Sequence, residues 1–204
     1  LYSAVTYNDD SHFFDKAYAA ILNCIQNMLA YAYKQHSITV TKYQKEVALR
    51  NIVVLELLFS TGMRVSEVSN LKTSAINLGD NTVRIFGKGS KERIMCISND
   101  LCKTISNYLI SRSQKSDYML INRLGNRLSE QSIRYMVNDY ANAVGAPLHI
   151  TPHMFRHTFA TELHNEDVDI RYIQQFLGHS SIATTQIYTH ISTSKTREIL
   201  ESKH

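Results

Sequence analysis

Between residues 11 and 35, apolar side chains recur at Ala17, Ile21, Ile25, Met28 and Leu29. Steps of three and four lay such residues along one stripe of a helix, for which Asp10 or Ser11 is the expected N-cap. Residues 34–41 then read as a loop. From Tyr43 to Ser60 the apolar residues fall on all sides, the mark of a deeply buried helix. Thr61-Gly62 ends it, because glycine takes the left-handed conformation that a C-cap needs. A short helix is expected over 65–71. The period then changes to two. Residues 82–86 and 93–97 alternate and are β-branched, with turn residues at 79–81 and 87–90, which predicts a small antiparallel sheet of about three strands over 75–97. Helical spacing returns near 100–111, 130–143, 151–164, 170–177 and 182–190. Thr151-Pro152 is a good helix start, a capping hydroxyl followed by proline in the first turn, and Gly178 is a good stop. Residues 193–204 can form a short terminal helix with Ile199 and Leu200 apolar. The expected fold class is mainly α with a small three-stranded antiparallel β-sheet (α+β).

Composition narrows the class. A chain of 204 residues with 44% hydrophobic and 20% charged side chains can bury a substantial core. The longest apolar run, 52–59, is interrupted by Glu56 and is too short to span a bilayer. No basic segment precedes an apolar one at the N-terminus, so no secretion signal is expected. Cys24, Cys96 and Cys102 are odd in number and widely spaced, which suits free thiols in a reducing cytoplasm and gives no metal-ligand spacing. The net charge of +4 favours an anionic partner only mildly. Its distribution says more. Lys88, Lys91 and Arg93 fall together, as do Arg123, Arg127 and Arg134. Clustered cations can contact DNA phosphates, the alternative being a solvated charged face.

Five short segments carry the chemistry: Thr61-Gly-Met-Arg-Val-Ser-Glu67, Phe86-Gly-Lys-Gly89, His153-Met-Phe-Arg-His157, Leu177-Gly-His-Ser180 and Ile187-Tyr-Thr-His190. A phosphodiester repels nucleophiles, and its charge concentrates as the phosphorus becomes five-coordinate. Fixed cations and donors must stabilise that charge where no metal does. Arginine suits this because its planar fork pairs two N–H groups with two oxygens and stays charged. Arg64 follows the Gly62 turn, and His153 and Arg156 share a helix face at i and i+3, so one phosphate can touch both. Lys88 lies between two glycines at the tip of the expected hairpin, a tight turn from which it can reach into a groove or a site.

Taken in order, these segments resemble the catalytic domain of the tyrosine recombinases, the family of the Xer proteins, phage integrases and Cre, over residues 55–190. The resemblance implies the fold and a reaction. Tyr188, at the family's spacing after Leu177-Gly178-His179, is the implied nucleophile among 12 tyrosines. A phenol titrates near pH ~10 and needs the cationic site that His153, His179, Arg64 and Arg156 provide. Tyr140 and Tyr172 lack that context and read as core positions. The family's Gly-Lys-Gly lysine protonates the 5′-hydroxyl leaving group, which assigns that role to Lys88. Glu67 matches the acidic position of Arg-x-x-Glu and is implied to orient an active-site histidine or arginine, with capping of the short helix as the alternative. His157 is read as structural. Lys91 and Arg93 are candidate phosphate contacts, with solvated charges as the other reading. The implied product is a 3′-phosphotyrosyl bond, reversed by a partner strand's 5′-hydroxyl, with no metal, cofactor or ATP. The partner is double-stranded DNA, the isolated chain is expected to be a monomer, and four protomers act on paired sites. Residues 1–192 are the expected catalytic domain, led by the helical segment 1–41, and 193–204 a tail that docks on a neighbouring protomer or on its own domain. The family's usual N-terminal clamp domain has no room here, so a fragment or an unusually short member is expected. The rival readings are a type IB topoisomerase, a DNA-binding module that has lost catalysis, and a zinc hydrolase. His153 and His157 have the spacing of the last, but Met154 stands where its glutamate must be.

Overall fold

The computed structural model describes residues 8–87 and 92–178. Seven helices and a small sheet follow in the order α1 (Asn8–Ile38), α2 (Lys42–Thr61), α3 (Val65–Asn70), a 3-10 turn (Thr73–Ala75), β1 (Ile76–Asn77), β2 (Thr82–Phe86), β3 (Glu92–Cys96), α4 (Asn99–Ser111), α5 (Glu130–Ala143), α6 (Pro152–Asn165) and α7 (Ile170–Leu177). The expected fold class is the one observed, and α5 and α7 have the bounds read from the pattern.

Helix α2 is the axis of the molecule, buried from Ile52 to Thr61 and packed against α1, α4, α5 and α6. Its two buried acids are answered from neighbouring segments. Glu46 accepts from the backbone N–H (3.0 Å) and hydroxyl (2.6 Å) of Ser113, and Glu56 accepts from the Tyr33 hydroxyl at 3.1 Å. Burial, with the Glu56 charge beside it, pushes the Tyr33 phenol up to about 12. Cys24, Cys96 and Cys102 are buried and share no disulfide. Tyr140 packs edge-on to Tyr31 with ring centroids 5.9 Å apart, and Tyr172 packs half-buried against the core. Among the described residues no helix is long and apolar enough to cross a membrane.

The segment 34–41 is not a loop over most of its length. Helix α1 continues to Ile38, leaving three residues as the connection. The hydroxyls of Ser37 and Thr39 donate back to the carbonyls of Lys34 (2.8 Å) and His36 (2.7 Å), satisfying acceptors that a helix end leaves open. Thr41 and Gln44 then form a reciprocal capping box at 3.2 Å in each direction, so α2 starts at once. At the other end Asp10 and Ser11 lie inside α1 and are not its caps. Thr151 also departs from expectation. It precedes Pro152 with extended backbone, but its hydroxyl caps nothing. The Met154 N–H already donates to the Thr151 carbonyl at 2.9 Å, which removes the donor a capping hydroxyl would take.

The sheet runs β1-β2-β3, antiparallel throughout. Val83 and Ile85 face the core while Arg84 and Phe86 face outward, the alternation of a half-buried strand. Pairing Ile85 with Arg93 and Val83 with Met95 puts Arg93 on the inward side, because cross-strand partners share a face. Strand β3 touches α7, and that contact brings the sheet to the site.

Gly62 closes α2 at φ 58°, ψ 23°, a backbone that costs an L-residue about 1–2 kcal/mol. A Cβ built there lies 2.5 Å from Phe159 Cδ1 and 3.2 Å from Leu177 Cδ2. Both atoms belong to packed side chains, so overpacking adds about 1–3 kcal/mol. Gly62→Ala is therefore expected to lose about 2–5 kcal/mol in urea unfolding with an unchanged m-value. A midpoint equal to wild type would show that the turn relaxes freely.

Candidate active site

Arg156 is 7% exposed, on the inward face of α6. Its Nη1 donates to the Gly62 carbonyl at 2.7 Å and its Nη2 to the Leu177 carbonyl at 2.5 Å. Those oxygens lie at the C-terminal ends of α2 and α7, where carbonyls lack partners and the helix dipoles are negative. One guanidinium thus holds two helix ends together. Each terminal nitrogen carries a second hydrogen and remains able to donate elsewhere.

Arg64 sits between Gly62 and α3. Its Nη1 donates to the Leu177 carbonyl at 3.4 Å and to Glu67 Oε1 at 3.2 Å, and its side chain stays 39% exposed. The other Glu67 oxygen accepts from the Arg64 backbone N–H at 2.8 Å, so Glu67 caps α3 and steadies the Arg64 side chain. One carboxylate thus serves both the start of α3 and the Arg64 side chain. Arg93, read as a phosphate contact or a solvated charge, is not solvated. Its fork lies on the same carboxylate, Nη1 to Oε1 at 2.9 Å and Nη2 to Oε2 at 2.8 Å, and its side chain is 9% exposed. It is neither a solvated charge nor a free surface cation, because its place on β3 points it inward. The signal was present in the sequence: Arg93 has the same parity as the core residue Met95.

Burial pushes the Glu67 carboxyl up, yet it is held below the ordinary value by hydrogen bonds from Arg93 and the Arg64 backbone and by both guanidinium charges. Burial, reinforced by repulsion from Arg64 and Arg93 and opposed by Glu67, lowers Arg156 to about 10. It remains a cation at neutral pH.

A cavity of about 820 Å³ opens beside this cluster, lined on one side by Arg64, His153 and Arg156. His153 is exposed on the first turn of α6. These three predicted site residues are thus brought together from two distant segments. Across the cavity stand Gln131, Arg134, Tyr135 and Asn138 of α5. Sequence reasoning did not single out Gln131, Tyr135 or Asn138, although their spacing puts them on one helix face. Of the second basic cluster, Arg134 lines the cavity, while Arg127 is exposed and donates to Asn70 Oδ1. His157 is exposed on α6 and does not line the cavity. Lys88, Lys91, His179, Tyr188 and the tail 193–204 lie outside the described residues.

Residues 26–195 match the phage integrase family. The chain belongs to that family. A tyrosine recombinase of Agathobacter rectalis is 50% identical over 187 residues, covering 90% of this chain and 61% of the relative. Tyrosine recombinase XerC of Bacillus pumilus is 37% identical over 175 residues, covering 81% of this chain and 57% of the relative. Two integrase-family crystal structures share the fold. XerA recombinase has a TM-score of 0.66 at 31% identity, covering 89% of this chain and 61% of its own. XerH recombinase, bound to difH substrate in a pre-cleavage complex, has a TM-score of 0.66 at 29% identity, covering 84% and 49%. This integrase-family chain therefore spans about three fifths of the length of the curated relatives it matches.

The Glu67 linkage has a definite sign. Its folded carboxyl binds a proton less readily than the 4.5 of a free glutamate, so near that pH the unfolded chain binds more protons. The stabilisation is complete above that value and is lost as pH falls through the lower folded one. Glu67→Gln is expected to cost about 2–3 kcal/mol at neutral pH and to lose part of the acid-side fall in stability. Urea midpoints measured against pH check this, and parallel wild-type and variant curves would contradict it.

Proposed function

We propose that this chain is the strand-cleaving and rejoining part of a site-specific DNA recombinase. The observation that carries the reading is the convergence of Arg64, His153 and Arg156 on one open cavity. Three donors there can hold a phosphate on several oxygens as its charge grows, and family membership supplies the reaction they serve. Arg64 is the more exposed of the two forks and takes the non-bridging oxygens from the cavity side. Arg156 is fixed by two carbonyls and donates with its remaining N–H groups. Such donors need no reorganisation when charge develops. His153 adds a further donor from the same helix face.

In this reading Tyr188 attacks the scissile phosphate. The phosphorus–oxygen bond to the 5′ side breaks, a 3′-phosphotyrosyl link forms, and Lys88 gives its proton to the departing 5′-oxygen. His179 joins the cationic surroundings that make the phenol a nucleophile. The covalent link conserves the bond energy, so a 5′-hydroxyl from a partner strand can reverse the step without ATP or metal. Lys91 contacts the DNA backbone, and Arg134 does the same from α5. A monomer in isolation becomes a tetramer on two paired duplexes, coupled by docking of residues 193–204. The bacterial cytoplasm, close to the nucleoid, is the corresponding setting, and three cysteines without a disulfide suit it.

A pool of nicked duplexes with randomised sequence tests the reading without knowledge of the site. DNA that stays attached to the chain through denaturation is captured and sequenced. Wild type is expected to yield covalent complexes enriched in one sequence, whereas enrichment of none would favour topoisomerase-like chemistry. Tyr188→Phe is expected to yield no covalent complex, and persistence of the link would sink the nucleophile assignment. Arg64→Lys keeps the charge but loses the fork, and is expected to slow cleavage about 10²–10³-fold.

Lys88 has its own test, a bridging 5′-phosphorothiolate duplex, because a thiolate leaves without a proton. Lys88→Ala is expected to be slow on ordinary DNA and near wild type on the sulfur substrate. An equal defect on both would limit Lys88 to electrostatics.

A further inference from the structure

We infer that Arg93 is a positioning residue for strand cleavage: it clamps the carboxylate of Glu67 end-on and so fixes the direction of Arg64. The inference deepens the strand-cleavage reading and rests on it. Arg93 bonds both oxygens of Glu67, at 2.9 and 2.8 Å. That same carboxylate bonds the Arg64 backbone N–H at 2.8 Å and its Nη1 at 3.2 Å. A glutamate side chain has three rotors, and one fork on both oxygens fixes the plane of its carboxylate. Arg64 needs such a support, since a long side chain left 39% exposed otherwise samples many rotamers.

Arg93 also lies against the second support of Arg64. A Cβ built on Gly178 would stand 3.1 Å from Arg93 Nη1 and 3.6 Å from its Cζ. The bare backbone at the end of α7 therefore lies directly over the guanidinium. The adjacent Leu177 carbonyl accepts from both Arg64 and Arg156. Arg93 thus touches the acid that steers Arg64 and the helix end that receives it.

One fact sets Arg93 apart from a direct phosphate ligand: it does not line the cavity that Arg64, His153 and Arg156 share. Nor does net stability account for it. A buried ion pair gains little over well-packed apolar residues, and the Arg93 Nε is buried with no hydrogen-bond partner among the described residues. What the pair provides is a fixed direction, which a lysine's single rotating ammonium does not supply.

The test uses the whole chain and a nicked duplex recovered from the wild-type covalent pool. Three quantities are read: DNA affinity, the single-turnover cleavage rate at saturating DNA, and the urea midpoint. Arg93→Lys is expected to keep wild-type affinity and folding while cleavage slows about 10²-fold, the cost of misplacing a catalytic group by about 1 Å. In an Arg64→Lys background the same change is expected to add little, since Arg93 acts through Arg64. A purely structural loss would multiply in both backgrounds. If Arg93→Lys unfolds, Arg93→Gln is read the same way. Wild-type cleavage in the variant, losses that multiply, or a loss confined to affinity would each overturn the inference and leave the strand-cleavage reading standing. Failure of wild type to form any covalent complex would overturn both.

Discussion

The guanidinium of Arg156, buried between the last carbonyls of α2 and α7, sets the geometry on which the site depends. Both helices end in left-handed glycines, Gly62 and Gly178, and both present unpaired acceptors at the negative end of their dipoles. One cation answers both. The Leu177 carbonyl then serves Arg64 as well, so both arginines that face the cavity are anchored on backbone carbonyls at helix ends. Removing either helix end would leave a buried charge without its acceptor, a large penalty in a dry interior.

Around that pin the charges do not balance. Arg64, Arg93 and Arg156 surround one carboxylate, Glu67, whose proton affinity is lowered by them in spite of its burial. Arg156 in turn feels repulsion from its two neighbours. A pocket with excess fixed positive charge, its donors already held in place, is built to receive an anion without reorganising. Glu67 does two jobs in this arrangement. It offsets part of the repulsion, and through its bond to the Arg64 backbone it starts α3.

The fold was legible where the pattern was strong and local. Helices α5 and α7, the β2 strand and the Gly62 cap follow from spacing and turn chemistry within a few residues. The extension of α1 to Ile38 was not legible, because it depends on the Ser37 and Thr39 hydroxyls folding back and on Thr41 and Gln44 closing the next cap. Thr151 misled in the opposite direction, since a backbone bond took the donor its side chain needed. In the site, Arg64, His153 and Arg156 were found by motif and lie together. The Arg93–Glu67 pair was not legible because Glu67 lies on another element and the pairing needs the strand register. The polar face of α5 was missed for a related reason. Helical spacing shows that Gln131, Arg134, Tyr135 and Asn138 share a side, but not which neighbour that side confronts.

The long sequence separation of these bonds bears on the order in which the molecule is made. Arg156 reaches back 94 residues to Gly62 and forward 21 to Leu177, and Arg64 waits for an acceptor 113 residues downstream. Chains leave the ribosome N-terminus first, so α1, α2 and the sheet can begin to pack while Leu177 is still unmade. Part of the apolar core can therefore form before the arginine cluster closes, with Ile173, Phe176 and Leu177 completing both. A growing chain thus completes the arginine cluster only once α7 has been made.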